Sequence, residues 1–316
     1  MRAIGMTRFG GPGVLRELDH PEPAVGDHEV RIHVAAATVN NGDLMMRRGE
    51  VHQLRHDAPW VPGMEAAGVV DAVGARAANR FRVGEAVTAH VWPIDPRGGA
   101  YGELTVADMN RVLRIPHGAS VAQAATLPMN GLTAYQAVEA MGLERPGTVA
   151  VIGAAGAVGG YIVQLAVAAG HRVVADAADT DRALVESLGA HVVVPRGDGV
   201  VDAIRAAVGE VDAVALAAMP TLDAAEIVRP GGAVASVFGF SDPGQAMTAR
   251  RRHVRLAPVL VDAIPDPAPM LRHLGELTES GELTLRVADE LPAEDAPEAH
   301  RRLESGGVRG RIVLRF

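Results

Sequence analysis

Val149-Ala150-Val151-Ile152-Gly153-Ala154-Ala155-Gly156-Ala157-Val158-Gly159-Gly160 is an apolar run that breaks into three glycines, Gly153, Gly156 and Gly159, spaced three apart. Such a break turns a strand sharply into a helix, so that backbone N–H groups and the helix's positive end face a diphosphate. A helical pattern follows in Tyr161, Ile162, Leu165, Ala166 and Ala169, and that is the context a dinucleotide loop requires. The amides from Gly153 through Ala154, Ala155, Gly156, Ala157 and Val158 to Gly159 form the candidate phosphate cradle. The wider stretch from Pro146 to Gly170 carries no charge and is nominally long enough to cross a bilayer. A span does not open with a strand-like run and a glycine cluster, whereas a buried strand and helix of an α/β core does. The expectation is a soluble protein.

Working outward, further strands are read at Arg172–Asp176, His191–Val194, Asp212–Ala217 and Ala233–Phe238, with helical patterns between them. Alternation of this kind predicts a doubly wound parallel sheet of the Rossmann type. The apolar run Arg255–Val261 closes it as an edge strand, and an edge bearing Val259, Leu260 and Val261 invites pairing with a second copy, hence a homodimer. Residues 1–117 read as mostly β, with alternating runs such as Glu29–Val34 and turns at Gly10–Gly13 and Pro62–Gly63. Ser120 is a candidate N-cap for one helix running through Tyr135 and Ala140 to Gly142. A proline-rich stretch, Ile264–Pro269, precedes helices at Met270–Thr278 and Ala293–Leu303 and a last strand at Gly310–Phe316. The expected organisation is a split substrate domain, residues 1–122 and 262–316, around an inserted dinucleotide domain, residues 123–261, with a cleft where the two meet.

Composition narrows the chemistry. The 316 residues are 48% hydrophobic and 22% charged, with a net charge of -8, which argues against nucleic acid or an anionic membrane surface as partner. There is no cysteine, so no disulfide, thiolate nucleophile or cysteine-held zinc. All basic residues besides histidine are arginine, which removes Schiff-base chemistry and a lysine base. The twelve histidines, among them His52, His56 and His90, are scattered without metal-ligand spacing. The N-terminal stretch lacks the apolar run of a signal peptide, so cytoplasmic residence is the default expectation.

Several motifs now fall into order: Val39-Asn40 with Asp43, Arg47 and Gly49; Pro62–Val70; Phe81 with Val83-Gly84; Gly131–Tyr135; and Leu188–Ala190. With the glycine loop, they make the chain resemble, nearly end to end, the zinc-independent medium-chain dehydrogenases/reductases, similar to quinone oxidoreductases and enoyl reductases. The resemblance implies a split, mostly β GroES-like catalytic domain joined to a Rossmann domain. It also implies what is missing, since the positions that hold catalytic zinc on Cys, His and Cys in zinc-dependent relatives correspond to Asn40, Met64 and Met129, which are not competent zinc ligands. The cysteine-rich lobe those relatives insert after Val83-Gly84 is absent too.

Asp176, at the end of the second parallel strand, stands where an acidic residue hydrogen-bonds the adenosine ribose. With Asp179 and Asp181 nearby it favours NADH over NADPH, while Arg172 or Arg182 could instead neutralise the patch and bind a 2′-phosphate. The proposed chemistry is hydride transfer from nicotinamide C4 to an enone, enoyl compound or quinone, with hydrogen bonds stabilising the oxygen that becomes negative. By resemblance Asn40 lies beside the nicotinamide and donates its amide N–H to a developing enolate. Thr133 contacts the coenzyme through its hydroxyl, and Phe238, Gly239 and Phe240 offer backbone groups to the carboxamide. Asp43 and Arg47 read as a structural pair. Met45, Met46 and Met64 suggest an adaptable apolar pocket or core, and His90, Trp92 and Tyr101 fall in the segment lining the substrate side. No proton donor is evident. That gap, with Ala217-Ala218-Met219 at a strand end, leaves open a second reading: a dinucleotide-binding scaffold, regulator or non-redox catalyst without redox turnover.

Overall fold

The computed structural model describes residues 1–51, 54, 56–220 and 222–316; His52 lies outside them. Two compact units divide the chain, unit 1 being residues 1–129, 266–279 and 285–316 and unit 2 residues 130–265 and 280–284. These limits lie a few residues beyond those read from the sequence.

Unit 1 begins with β1 (Arg2–Gly5), β2 (Arg16–Asp19), β3 (Glu29–Thr38), α1 (Asn41–Arg48), β4 (Glu65–Val73), β5 (Ala86–His90), β6 (Leu104–Asp108), β7 (Val112–Arg114) and α2 (Val121–Ala125). The helix α3 (Pro128–Met141) leads into unit 2, which holds β8 (Thr148–Ile152), α4 (Ala157–Ala168), β9 (Arg172–Ala177), α5 (Arg182–Ser187), β10 (Val192–Pro195), α6 (Val200–Val208), β11 (Val211–Leu216), β12 (Val228–Ser236), α7 (Pro243–Arg252) and β13 (Arg255–Pro258). The chain then returns to unit 1 with α8 (Ala268–Glu279), β14 (Val287–Pro292), α9 (Ala296–Ser305) and β15 (Arg311–Arg315).

In unit 1 a seven-stranded sheet runs β14-β15-β3-β4-β5-β7, with β6 also on β3. The ten-residue β3 takes three neighbours because β6 pairs with Glu29–His33 and β15 with Ala36–Thr38, while β4 covers its other side. Alternation along β3 buries Val30, Ile32 and Val34, whose side chains meet Val70, Phe81, Val87, Ile312 and Leu314 in one core. The single helix expected after Ser120 is two. Ser120 does cap α2, its Oγ accepting from Gln123 N (3.2 Å) while Gln123 Oε1 accepts from Ser120 N (2.9 Å). The helix then stops and restarts at Pro128, because the residue before a proline is pushed out of the helical region.

Unit 2 carries six parallel strands in the order β10-β9-β8-β11-β12-β13. This is the doubly wound order, whose direction reverses between β8 and β11, and the ligand crevice of such a sheet opens outside the carboxyl ends of its strands at that point. Strand β8 is buried from Val149 to Ile152, as a central parallel strand must be. The last strand ends at Pro258, short of the expected Val261, since a proline has no N–H to continue the ladder; beyond it Val259 and Val261 turn inward and Leu260 stays 56% exposed. Similarly β12 ends at Ser236 rather than Phe238. Among the described residues, no helix is long and apolar enough to cross a membrane.

Candidate functional site

In unit 2 each loop glycine has its own steric reason. Gly153 adopts φ +92°, and a Cβ there would lie 2.7 Å from Ala218 Cβ and 2.9 Å from the Ala217 carbonyl carbon, so a side chain would be both strained and blocked. Gly159 is the tightest, because its Cβ would stand 2.1 Å from the Gly153 oxygen; only a glycine lets α4 press against the end of β8. Gly156 is the N-cap of α4 and carries no capping side chain, which leaves the first turn's amides free to meet an anion. Glycine at 153 and 159 lets the loop close tightly onto the chain behind it, and with the uncapped start of α4 this arrangement fits a dinucleotide pyrophosphate.

Asp176 sits in β9, 4% exposed. Its Oδ1 accepts from the amides of Gly153 (2.6 Å) and Ala154 (3.1 Å). One oxygen of the carboxylate expected to read a ribose is thus bound to the glycine loop, and these two amides are held by the protein's own side chain. Neither arginine named with it is placed for a phosphate at the strand ends. Arg172 opens β9 at its amino end, and Arg182 is engaged with the Val193 carbonyl (3.1 Å) and Glu186 (3.6 Å). Thr133 is largely buried on α3. After β12 the Phe238 amide donates to Ser236 Oγ (3.2 Å), and Gly239, at φ +70°, has open space where its Cβ would be.

Unit 1 holds a buried polar row. Ala37 faces Ala66 across β3 and β4, which puts Thr38 and Glu65 together one step on, and Glu65 faces His90 across β4 and β5. Opposed residues of antiparallel strands share a face. Glu65 gathers donors from three elements: Thr38 Oγ1, Asn40 Nδ2 at 3.2 Å, and the Met129 amide at 2.6 Å. Asn40 Nδ2 also donates to Thr38 Oγ1 (2.9 Å). A carboxylate can only accept, so Glu65 fixes the orientation of the Asn40 amide. The two acceptors, Thr38 Oγ1 and one Glu65 oxygen, are themselves hydrogen-bonded and lie on one side of the Asn40 amide, so they share one of its hydrogens and hold its orientation. Glu65 itself went unnoticed in the sequence, although a lone acid in the apolar run Pro62–Val70 was the available signal.

The expected Asp43–Arg47 pair does not form. Asp43, fully buried, caps α1 by accepting from Asn40 N (2.8 Å) and ties it to Gly63 N (2.8 Å). Burial pushes its carboxyl up to about 7, against the pull of those two amides. Arg47 is buried with Glu304 as its ion-pair partner. Tyr101 is core: its hydroxyl lies 3.4 Å from Asp43 Oδ2 and 3.2 Å from His300 Nε2, and burial raises its pKa well above the ordinary phenol value. His90 is also fully buried. Arg111 Nη1 donates to its Nδ1 (2.6 Å), and burial with the neighbouring guanidinium lowers its pKa to about 3, so it is neutral and no acid at neutral pH. Of that trio only Trp92 is partly exposed. The methionines separate as well: Met46 is core, Met45 faces solvent, and Met64 Sδ packs where a Cβ on Gly42 would be, 2.4 Å away. Among the described residues no group of three or more His, Cys, Asp or Glu is arranged to hold a metal.

Comparison with known proteins agrees with this architecture. Residues 26–117 match the family described as alcohol dehydrogenase GroES-like domain, and residues 188–314 match the family described as zinc-binding dehydrogenase. The chain belongs to the medium-chain dehydrogenase/reductase family. It is 28% identical to a quinone oxidoreductase of Lama guanicoe over 99% of this chain and 97% of that one, and 27% identical to a 2-methylene-furan-3-one reductase of Solanum lycopersicum over 99% of this chain and 79% of that one. Among solved structures, the quinone oxidoreductase from Coxiella burnetii superposes with a TM-score of 0.87 at 27% identity, covering 100% of this chain and 99% of that one. A mycobacterial protein complexed with NADPH gives 0.87 at 28%, with 100% of both chains covered.

Proposed function

We propose that this protein is a metal-free, NAD(P)H-dependent oxidoreductase that reduces a quinone or an α,β-unsaturated carbonyl compound, enones and enoyl compounds included. The observation that carries the reading is the cradle of Gly153, Gly156 and Gly159 at the uncapped start of α4. Relatives that are quinone and enone reductases support the acceptor class. A bound reduced nicotinamide supplies the hydride for the acceptor's electron-poor carbon. The chain's part is to bind and orient. The Ala157 and Val158 amides of the first turn of α4 would receive the pyrophosphate, the Thr133 hydroxyl would steady the coenzyme, and the backbone of Phe238, Gly239 and Phe240 would meet the carboxamide. Asn40 acts as a positioning residue, fixing the first turn of α1, and solvent protonates the product.

Zinc does not fit the residues present. Asn40 spends its amide on Thr38 and Glu65, Met64 packs its thioether against Gly42, and Met129 meets Glu65 through its backbone. Neutral thioethers and an amide are a poor donor set for zinc. Cytoplasmic residence and a homodimer formed through the β13 edge complete the reading.

The test is to follow the near-ultraviolet absorbance of NADH and NADPH with a panel of quinones and enones. Oxidation of at least one dinucleotide by one acceptor class is expected; tight coenzyme binding with no oxidation by any acceptor would overturn it. That second outcome is what a scaffold or regulator without turnover predicts, a reading favoured by the commitment of the Asn40 amide to Thr38 and Glu65 within the protein.

A further inference from the structure

Three features at the carboxyl ends of β9 and β10 bear on which dinucleotide the protein takes. Asp176 Oδ1 is occupied by Gly153 N and Ala154 N, and the residue is buried. A carboxylate that reads a ribose presents its oxygens to two hydroxyls, and here Oδ1 is already taken by the loop. Next, the following residues, Ala177 and Ala178, bring only methyl groups to the strand end, so they offer the ribose neither an acceptor nor a repelling charge. Finally, Arg196 follows β10 directly beside them: Pro195 pairs with Ala177, and the Arg196 amide donates to the Ala177 carbonyl (3.0 Å). Its side chain is exposed and has no ion pair or hydrogen bond among the described residues. Most arginines of this chain have such partners, including Arg182 on the neighbouring α5.

We infer that the coenzyme is bound in its 2′-phosphorylated form and that Arg196 reads that phosphate, Asp176 serving the glycine loop rather than the ribose. This rests on the dinucleotide reading above and reverses the preference for NADH drawn from the position of Asp176 in the sequence. A guanidinium offers a planar, paired set of donors to a phosphate dianion. Asp179 on the adjoining turn is exposed, so its charge is screened by solvent. Asp181, also nearby in sequence, is buried and already has a partner of its own.

The experiment is titration of the full chain with NADPH, NADH, adenosine 2′,5′-bisphosphate and AMP, by calorimetry, for the native protein and for Arg196→Gln, Asp176→Asn and Asp176→Ala. The native protein is expected to prefer NADPH and the bisphosphate. Arg196→Gln should weaken both of these by about ten- to a hundredfold, the loss of one charge-assisted contact, and leave NADH and AMP unchanged. Asp176→Asn, whose amide oxygen still accepts from the loop, should bind both dinucleotides as before, whereas Asp176→Ala should weaken both together and leave their ratio intact. Tighter binding of NADH by the native protein, indifference of NADPH to Arg196→Gln, or a selective loss of NADH in Asp176→Asn would each overturn the inference. Binding that follows the expected pattern without reduction of any acceptor would sink the reductase reading and leave this inference standing. Turnover with an Arg196→Gln variant that treats both dinucleotides as the native protein does would do the reverse.

Discussion

Asn40 shows how a residue's position and its bonds can point to different roles. Were its N–H a direct donor to a developing enolate, Asn40→Ala would lower kcat by about 10²–10³-fold, the usual cost of losing an oxyanion donor. Held instead on Thr38 and Glu65, it is expected to cost about 1–3 kcal/mol of stability for the buried partners it strands, with a much smaller effect on kcat. Chemical denaturation beside steady-state kinetics separates the two. Asp43 makes a second prediction. Its carboxyl is raised by burial to about 7, so the folded state holds a proton there that the unfolded chain has released by about pH 5. Stability contributed by this group is full below its unfolded pKa and declines as pH rises toward 7. Unfolding free energies measured from pH 4 to 8 should fall across that window, and Asp43→Asn should flatten the slope. Neither bond set was legible in the sequence, because Glu65 and Gly63 reach Asn40 and Asp43 only once β4 is laid against β3.

Elements were far more legible than contacts. Each strand of unit 2 announces itself as a short Val- and Ala-rich run, and the glycine spacing marks the turn into α4, since those signals are local and steric. What failed was also local but finer: the break before Pro128 and the end of β13 at Pro258 depend on single prolines inside otherwise continuous patterns. The shortened β13 remains the last strand of its sheet, with its outer edge unpaired among the described residues and Leu260 exposed beyond it. Pairing of two such edges would bury both. Sedimentation should therefore find a dimer that Leu260→Asp converts to monomer with its fold intact by circular dichroism; a native monomer would dismiss the edge as an interface.

At the scale of the whole molecule, the sequence gives away the divided architecture because composition changes from β-rich runs to strand–helix alternation and back. It does not reveal that Ser280–Thr284 rejoins unit 2, where the Thr284 amide donates to Gln164 Oε1 (2.8 Å) on α4. That excursion is set by side chains rather than by any pattern. The same divided order places β15, nearly the last segment of the chain, in the interior of the large sheet between β14 and β3. On the ribosome, all of unit 2 has been synthesised before this strand exists, while Ala36–Thr38 of β3 still lack their neighbour. A stall late in translation would hold the nascent chain with an unprotected ladder, the state in which strand exchange between neighbouring polypeptides begins.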